Sequence, residues 1–116
     1  MKIAVAKYTI EAPRRFDDFA GRQTHWLREA ASAGARIAVM PEYLSLELAA
    51  TFPAEVCGDL HASFAATQRY RGAWLDLFSG LSRTTGMYVV AGSFLLEEPN
   101  GRSRNRADLF SPDGSH

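Results

Sequence analysis

Two short, nearly unbroken apolar runs, Lys2-Ile3-Ala4-Val5-Ala6 and Ile37-Ala38-Val39-Met40, flank one amphipathic stretch, and this arrangement constrains the fold more than any other feature of the chain. Runs that lack polar alternation suit strands covered on both faces, the usual state of parallel sheet strands. Between them, after Pro13 ends the first run, the bulky residues Phe16, Phe19, Trp26 and Leu27 recur at helical spacing, with Ala20, Ala30 and Ala31 filling the same face. Asp17 and Asp18 fall in the first turn of that helix, where acids complement the dipole, and Gly34 supplies its stop. Strand, helix and strand in this order form a βαβ unit with a right-handed crossover. Pro41 cannot donate to the ladder, so the chain leaves the sheet there, carrying Glu42 and Tyr43. Open α/β sheets bind ligands at that edge, which places a carboxylate where the ends of the first two strands meet.

Downstream, Leu44 to Ala50 suits a short helix and Pro53 through Asp59 reads as loop. Tyr70, Trp74, Leu77, Phe78 and Leu81 mark a second amphipathic helix that ends at Gly86. Met87 to Phe94 is a third apolar strand, Glu97-Glu98-Pro99-Asn100-Gly101 a turn, and Arg104 to Phe110 a returning strand. Pro112-Asp113-Gly114 begins another turn. The fold class is therefore α/β: a βαβ unit followed by a helix and a β-hairpin. No repeat or linker suggests a second domain.

Length and charge narrow the function classes. A chain of 116 residues, 47% hydrophobic and 22% charged, buries roughly two-thirds of its unfolded surface if its sheet is complete. Thirteen basic and thirteen acidic residues cancel, which leaves no general electrostatic drive toward nucleic acid or anionic membrane. The opening run is too short for a signal segment, and no stretch approaches the roughly 20 apolar residues of a membrane span, so the chain reads as cytoplasmic. Cys57 is the only cysteine, which excludes an intrachain disulfide and a cysteine-rich metal site.

Taken together, Lys2-Ile3-Ala4-Val5-Ala6, the amphipathic helix, Gly34-Ala35, the strand closed by Pro41-Glu42-Tyr43, Gly92-Ser93-Phe94, Asn105 and Ser111-Pro112-Asp113-Gly114 resemble, in order and spacing, the nitrilase superfamily of carbon–nitrogen hydrolases. The similarity runs over the whole chain but covers only the N-terminal part of that family's longer domain, so residues 1–116 are expected to be an incomplete single domain. The resemblance implies a partial α-β-β-α sandwich and a Glu, Lys and Cys triad. In such a triad the thiol attacks an amide or nitrile carbon, a thioester-type intermediate forms, and water releases the acid. It implies general-base duty for Glu42, the one residue here that matches the triad. It implies no cofactor and no metal, a small amide, carbamoyl compound or nitrile as substrate, and a homo-oligomer for the full-length protein. A carboxylate partly shielded at a sheet edge is suited to proton transfer, and a positioned ammonium group to stabilising an oxyanion. The family's lysine follows the Pro-Asp-Gly turn, beyond His116, and its cysteine comes later still. The chain alone is therefore expected to be inactive.

Other polar residues have plainer readings. Lys7 lies on the first strand's exit, where relatives often carry glutamine, and is expected near Glu42 but not as the catalytic lysine. Cys57, in Glu55-Val56-Cys57-Gly58, has loop character rather than the strand-to-helix elbow a thiolate nucleophile occupies. His25 and His61 have no metal-ligand spacing to each other or to Cys57 and read as solvated or structural. Arg102, Arg104 and Arg106 should project from one face of the last strand, with Asn105, Ala107 and Leu109 on the other. Trp26, Tyr70, Trp74 and Phe78 read as core, and Gly92 and Asn105 as structural. The competing reading is a non-catalytic α/β binding or regulatory module, against which the exposed sheet edge counts. A nucleotide-binding α/β fold is weaker, because Ile10-Glu11-Ala12-Pro13 is no glycine-rich phosphate loop.

Overall fold

A computed structural model describes Met1–His116. The elements are β1 (Lys2–Val5), α1 (Phe16–Ser32), β2 (Ala35–Val39), a 3₁₀ helix (Leu44–Thr51), α2 (Ala54–Cys57), α3 (Leu60–Thr67), a 3₁₀ turn (Gln68–Tyr70), α4 (Arg71–Thr85), β3 (Tyr88–Glu97) and β4 (Ser103–Phe110). The strands form one sheet in the order β1-β2-β3-β4, with β1, β2 and β3 parallel and β4 returning antiparallel to β3. No helix is long and apolar enough to cross a membrane.

The expected βαβ unit, second long helix and hairpin are all present. Gly86, at φ +70, ends α4 in the left-handed conformation that a Cβ disfavours. The Ser111-Pro112-Asp113-Gly114 turn closes with Gly114 N–H donating to Ser111 C=O at 2.8 Å. Two segments differ from expectation. Pro53–Asp59 is not plain loop: α2 forms within it, its first turn closed by Val56 and Cys57 N–H donating to Pro53 C=O. Asp59 then caps α3, its carboxylate accepting from Ala62 N–H at 2.9 Å. The cap signal was in the sequence, but Leu60–Thr67 has almost no polar/apolar periodicity to accompany it.

Alternation along the strands divides the sheet into two unlike faces. On one, Ala38, Val89 and Phe110 are buried beneath α1 and α4. The core there is aromatic: Phe19 stacks on Trp74, which meets Phe78 and Phe94 edge-on at centroid distances of 4.9 and 5.3 Å. Burying each such side chain stabilises the fold by about 1.5–3 kcal/mol. Trp74 and Phe78 are core residues as expected, whereas Trp26 and Tyr70 are only half-buried at its margin.

The other face is open. Register puts Ile3, Ile37 and Tyr88 in one row and Val5, Val39, Val90 and Leu109 in the next. Val5 is 70% exposed, Ile3 55% and Leu109 54%. The expectation that β1 is covered on both faces is therefore corrected: β1 is an edge strand with one covered face. Its other face, with Ile3 and Val5, is left open to solvent by these 116 residues. The molecule is one helical layer on one sheet, half of the expected four-layer sandwich.

Candidate active site

β2 delivers Glu42 by a sharp exit. Met40 N–H still donates to Val90 C=O at 2.9 Å, Pro41 ends the ladder, and Tyr43 adopts the left-handed region at φ 60. A non-glycine residue there costs about 1–3 kcal/mol and persists only where its surroundings hold it. Here two serines do so reciprocally. Tyr43 N–H donates to Ser93 Oγ on β3 at 2.6 Å, and Leu95 N–H of β3 donates to Ser45 Oγ at 3.1 Å. Leu44 and Leu48, both fully buried, press the inner side of the 3₁₀ helix onto the core.

Gly92 makes the close approach possible. β3 bulges between Val90 and Ser93, and Gly92 sits there at φ +80. A Cβ on it would lie 2.4 Å from the Pro41 carbonyl oxygen and 3.2 Å from Leu44 Cβ. The Gly-Ser pair thus has a stated job: the glycine admits the Pro41-Glu42 backbone and the serine fastens it.

Across the bulge, Asn105 on β4 donates from Nδ2 to Glu42 Oε1 at 2.7 Å. Oε2 has no protein hydrogen-bond partner. Glu42, Ser93 and Asn105 line a cleft of about 310 Å³ whose remaining walls include Met40, Val90 and Ala107. Asn105, Ala107 and Leu109 share the open face of β4 while Arg104 and Arg106 project from the other, as the alternation predicts, but Arg102 precedes the strand and does not join that row. Two details differ from expectation. The cleft lies over β2, β3 and β4 rather than where β1 and β2 end, because the bulge in β3 opens the space beside Glu42. Glu42 is also exposed rather than shielded, because nothing covers this face of the sheet.

The remaining candidates lie elsewhere. Lys7 is exposed and forms no ion pair with Glu42. Cys57 is exposed at the end of α2 and does not line the cleft. His25 pairs with Glu29 on the solvent side of α1 at 3.4 Å, and His61 is exposed at the start of α3.

A second carboxylate stands behind the same edge. Glu47, on the 3₁₀ helix that follows Glu42, has a side chain only 1% exposed. It accepts from Tyr8 Oη at 2.9 Å and from Glu11 N–H at 3.3 Å, and Arg22 lies 3.7 Å away. Gln23 of α1 donates in turn to Tyr8 Oη at 2.7 Å. Burial raises the Glu47 carboxyl above its ordinary range, against the opposing hydrogen bonds from Tyr8 and Glu11 and the charge of Arg22. Burial likewise pushes the Tyr8 phenol up to about 12. Sequence reading passed over this network, since Tyr8, Gln23 and Glu47 share no motif.

Comparison with known proteins places the architecture. No protein-family model matches the chain. It is 29% identical over 114 residues to the omega-amidase NIT2 of Danio rerio and 25% identical over 114 residues to the omega-amidase NIT2-A of Xenopus laevis. Each alignment takes in 98% of this chain but 37% of the relative, so the chain spans little more than a third of those proteins. Among solved structures, a carbon–nitrogen hydrolase from Helicobacter pylori G27 superposes with a TM-score of 0.72 at 17% identity, over 97% of this chain and 36% of that one. In sequence and in fold the chain thus resembles an N-terminal portion of the nitrilase superfamily. An amidase from Nesterenkonia sp. shares the fold too, with a TM-score of 0.61 at 19% identity over 97% of this chain and 39% of that one. The half-sandwich seen here is thus the carbon–nitrogen hydrolase arrangement of sheet and helices, present as a portion.

Proposed function

We propose that these residues supply the glutamate arm of a single, longer hydrolase domain that cleaves carbon–nitrogen bonds of small amides, carbamoyl compounds or nitriles by covalent thiol catalysis. Glu42 is the general base, which takes the thiol proton and later activates the hydrolytic water. A lysine and a cysteine outside these 116 residues complete the triad, and the chain alone does not turn over. One observation carries the reading: a carboxylate at the C-terminal edge of parallel strands, held through one oxygen by Asn105 with the other oxygen free. The similarity to omega-amidases supports an amide as the bond cleaved.

Ammonia release from small amides tests it. The chain by itself should release none, and turnover that Glu42→Gln abolishes would overturn the inactivity. In a longer protein that carries these residues with a downstream lysine and cysteine, Glu42→Gln should lower kcat by about 10²–10⁴-fold, the usual contribution of a general base. Unchanged kcat would remove Glu42 from the chemistry.

A further inference from the structure

We infer that Glu47 is a positioning residue for Glu42, clamping the segment that carries the proposed base between the exit loop of β1 and α1; the inference rests on the reading of Glu42 given above. The serine ties and the buried leucines fasten the 3₁₀ helix to β3 and the core on one side, and Thr51 Oγ1 meets Tyr70 Oη at 2.8 Å at its C-terminal end. Glu47 makes the ties on the other side, receiving Tyr8 Oη and Glu11 N–H from the exit loop of β1 and facing Arg22 of α1. That loop is itself fixed to the helix. Gln23 donates to Tyr8 Oη, Arg22 donates to Thr9 C=O, and the Arg22 guanidinium lies 4.4 Å from the centre of the Tyr8 ring. A buried carboxylate costs stability unless it is paired and hydrogen-bonded. Its presence here, five residues beyond Glu42, fits a device that stops the segment rolling on the sheet and so keeps Glu42 within reach of Asn105.

The test follows the Glu42–Asn105 contact in the 116-residue chain by NMR, as cross-relaxation between the Asn105 side-chain amide and the Glu42 γ-protons, at a temperature where circular dichroism shows each protein folded. Glu47→Ala should abolish that cross-peak and Glu47→Gln, which keeps an acceptor for Tyr8, should restore it. Asp108→Ala, which removes the buried carboxylate that accepts two hydrogen bonds from Arg71 on the helix-covered face of β4, should leave it intact. Should Glu47→Ala fail to fold, Tyr8→Phe removes only the phenol donor and should weaken the same peak. An undiminished cross-peak in folded Glu47→Ala, or in Tyr8→Phe where that variant stands in, would overturn the inference. This readout reports where the Glu42 carboxylate sits whether or not it acts as a base, so failure here leaves the kinetic test of Glu42→Gln standing.

Discussion

Replacing Gly92 with alanine separates two physical costs that the structure places at one residue. The first is conformational: at φ +80 an L side chain is disfavoured by about 1–2 kcal/mol. The second is steric. The new Cβ would meet the Pro41 carbonyl oxygen at 2.4 Å, a distance real Cβ atoms do not show, so the backbone around Pro41 has to move. Forced shifts in a packed region typically cost about 1–3 kcal/mol. Gly92→Ala should therefore destabilise by about 2–5 kcal/mol in all, a large fraction of the roughly 5–15 kcal/mol that holds a domain folded. Gly86 is the internal control. It has a comparable φ of +70 with nothing within 4 Å of its would-be Cβ, so Gly86→Ala carries the conformational cost alone. Urea unfolding followed by circular dichroism measures both. With a slope of about 1–3 kcal/mol per molar, the Gly92 variant should unfold roughly 1 M earlier than the Gly86 variant. Coincident midpoints would refute the argument that close approach of the Glu42 segment, rather than backbone conformation, is what requires glycine at 92.

Two further outcomes test the surroundings of the site. Asp108, with a side chain 1% exposed, accepts two hydrogen bonds from Arg71 at 2.8 and 3.0 Å and contacts His116 at 2.7 Å. Burial alone would raise its carboxyl, but the hydrogen bonds and charges of Arg71 and His116 prevail and hold it below the ordinary carboxylate range. Because the folded value is the lower one, this stabilisation is present above the unfolded value of about 3.9 and is lost as pH falls through the folded value. Asp108→Ala should cost about 3–5 kcal/mol at neutral pH and less under strong acid; denaturant curves at pH 7 and pH 2 that give equal differences would contradict it. On the open sheet face, Val5→Lys should change stability by no more than about 0.5 kcal/mol and reduce self-association in sedimentation velocity, since Val5 is 70% exposed. A loss well above that would show the face to be covered in solution.

Much of the molecule was legible from residue order. The βαβ unit followed from two apolar runs around a helical stripe, and Pro41 located the exit that carries Glu42. Both are local signals, set by backbone period and by a missing N–H. The helices of residues 54–67 were not legible, because short helices stabilised by packing carry little periodicity.

What the sequence determined by itself, then, was the alternation of elements, the edge at which the chain leaves the sheet and the kind of residue found there. Only the tertiary structure decided what that residue meets. The bulge at Gly92, the Ser93 and Ser45 ties, the Asn105 donor and the Tyr8–Glu47 network join residues 15 to 63 positions apart. It also decided that one face of the sheet stands open. Local pattern reports what a residue prefers, whereas a site depends on which distant partners the register brings within about 3 Å, and register follows from packing across the whole sheet.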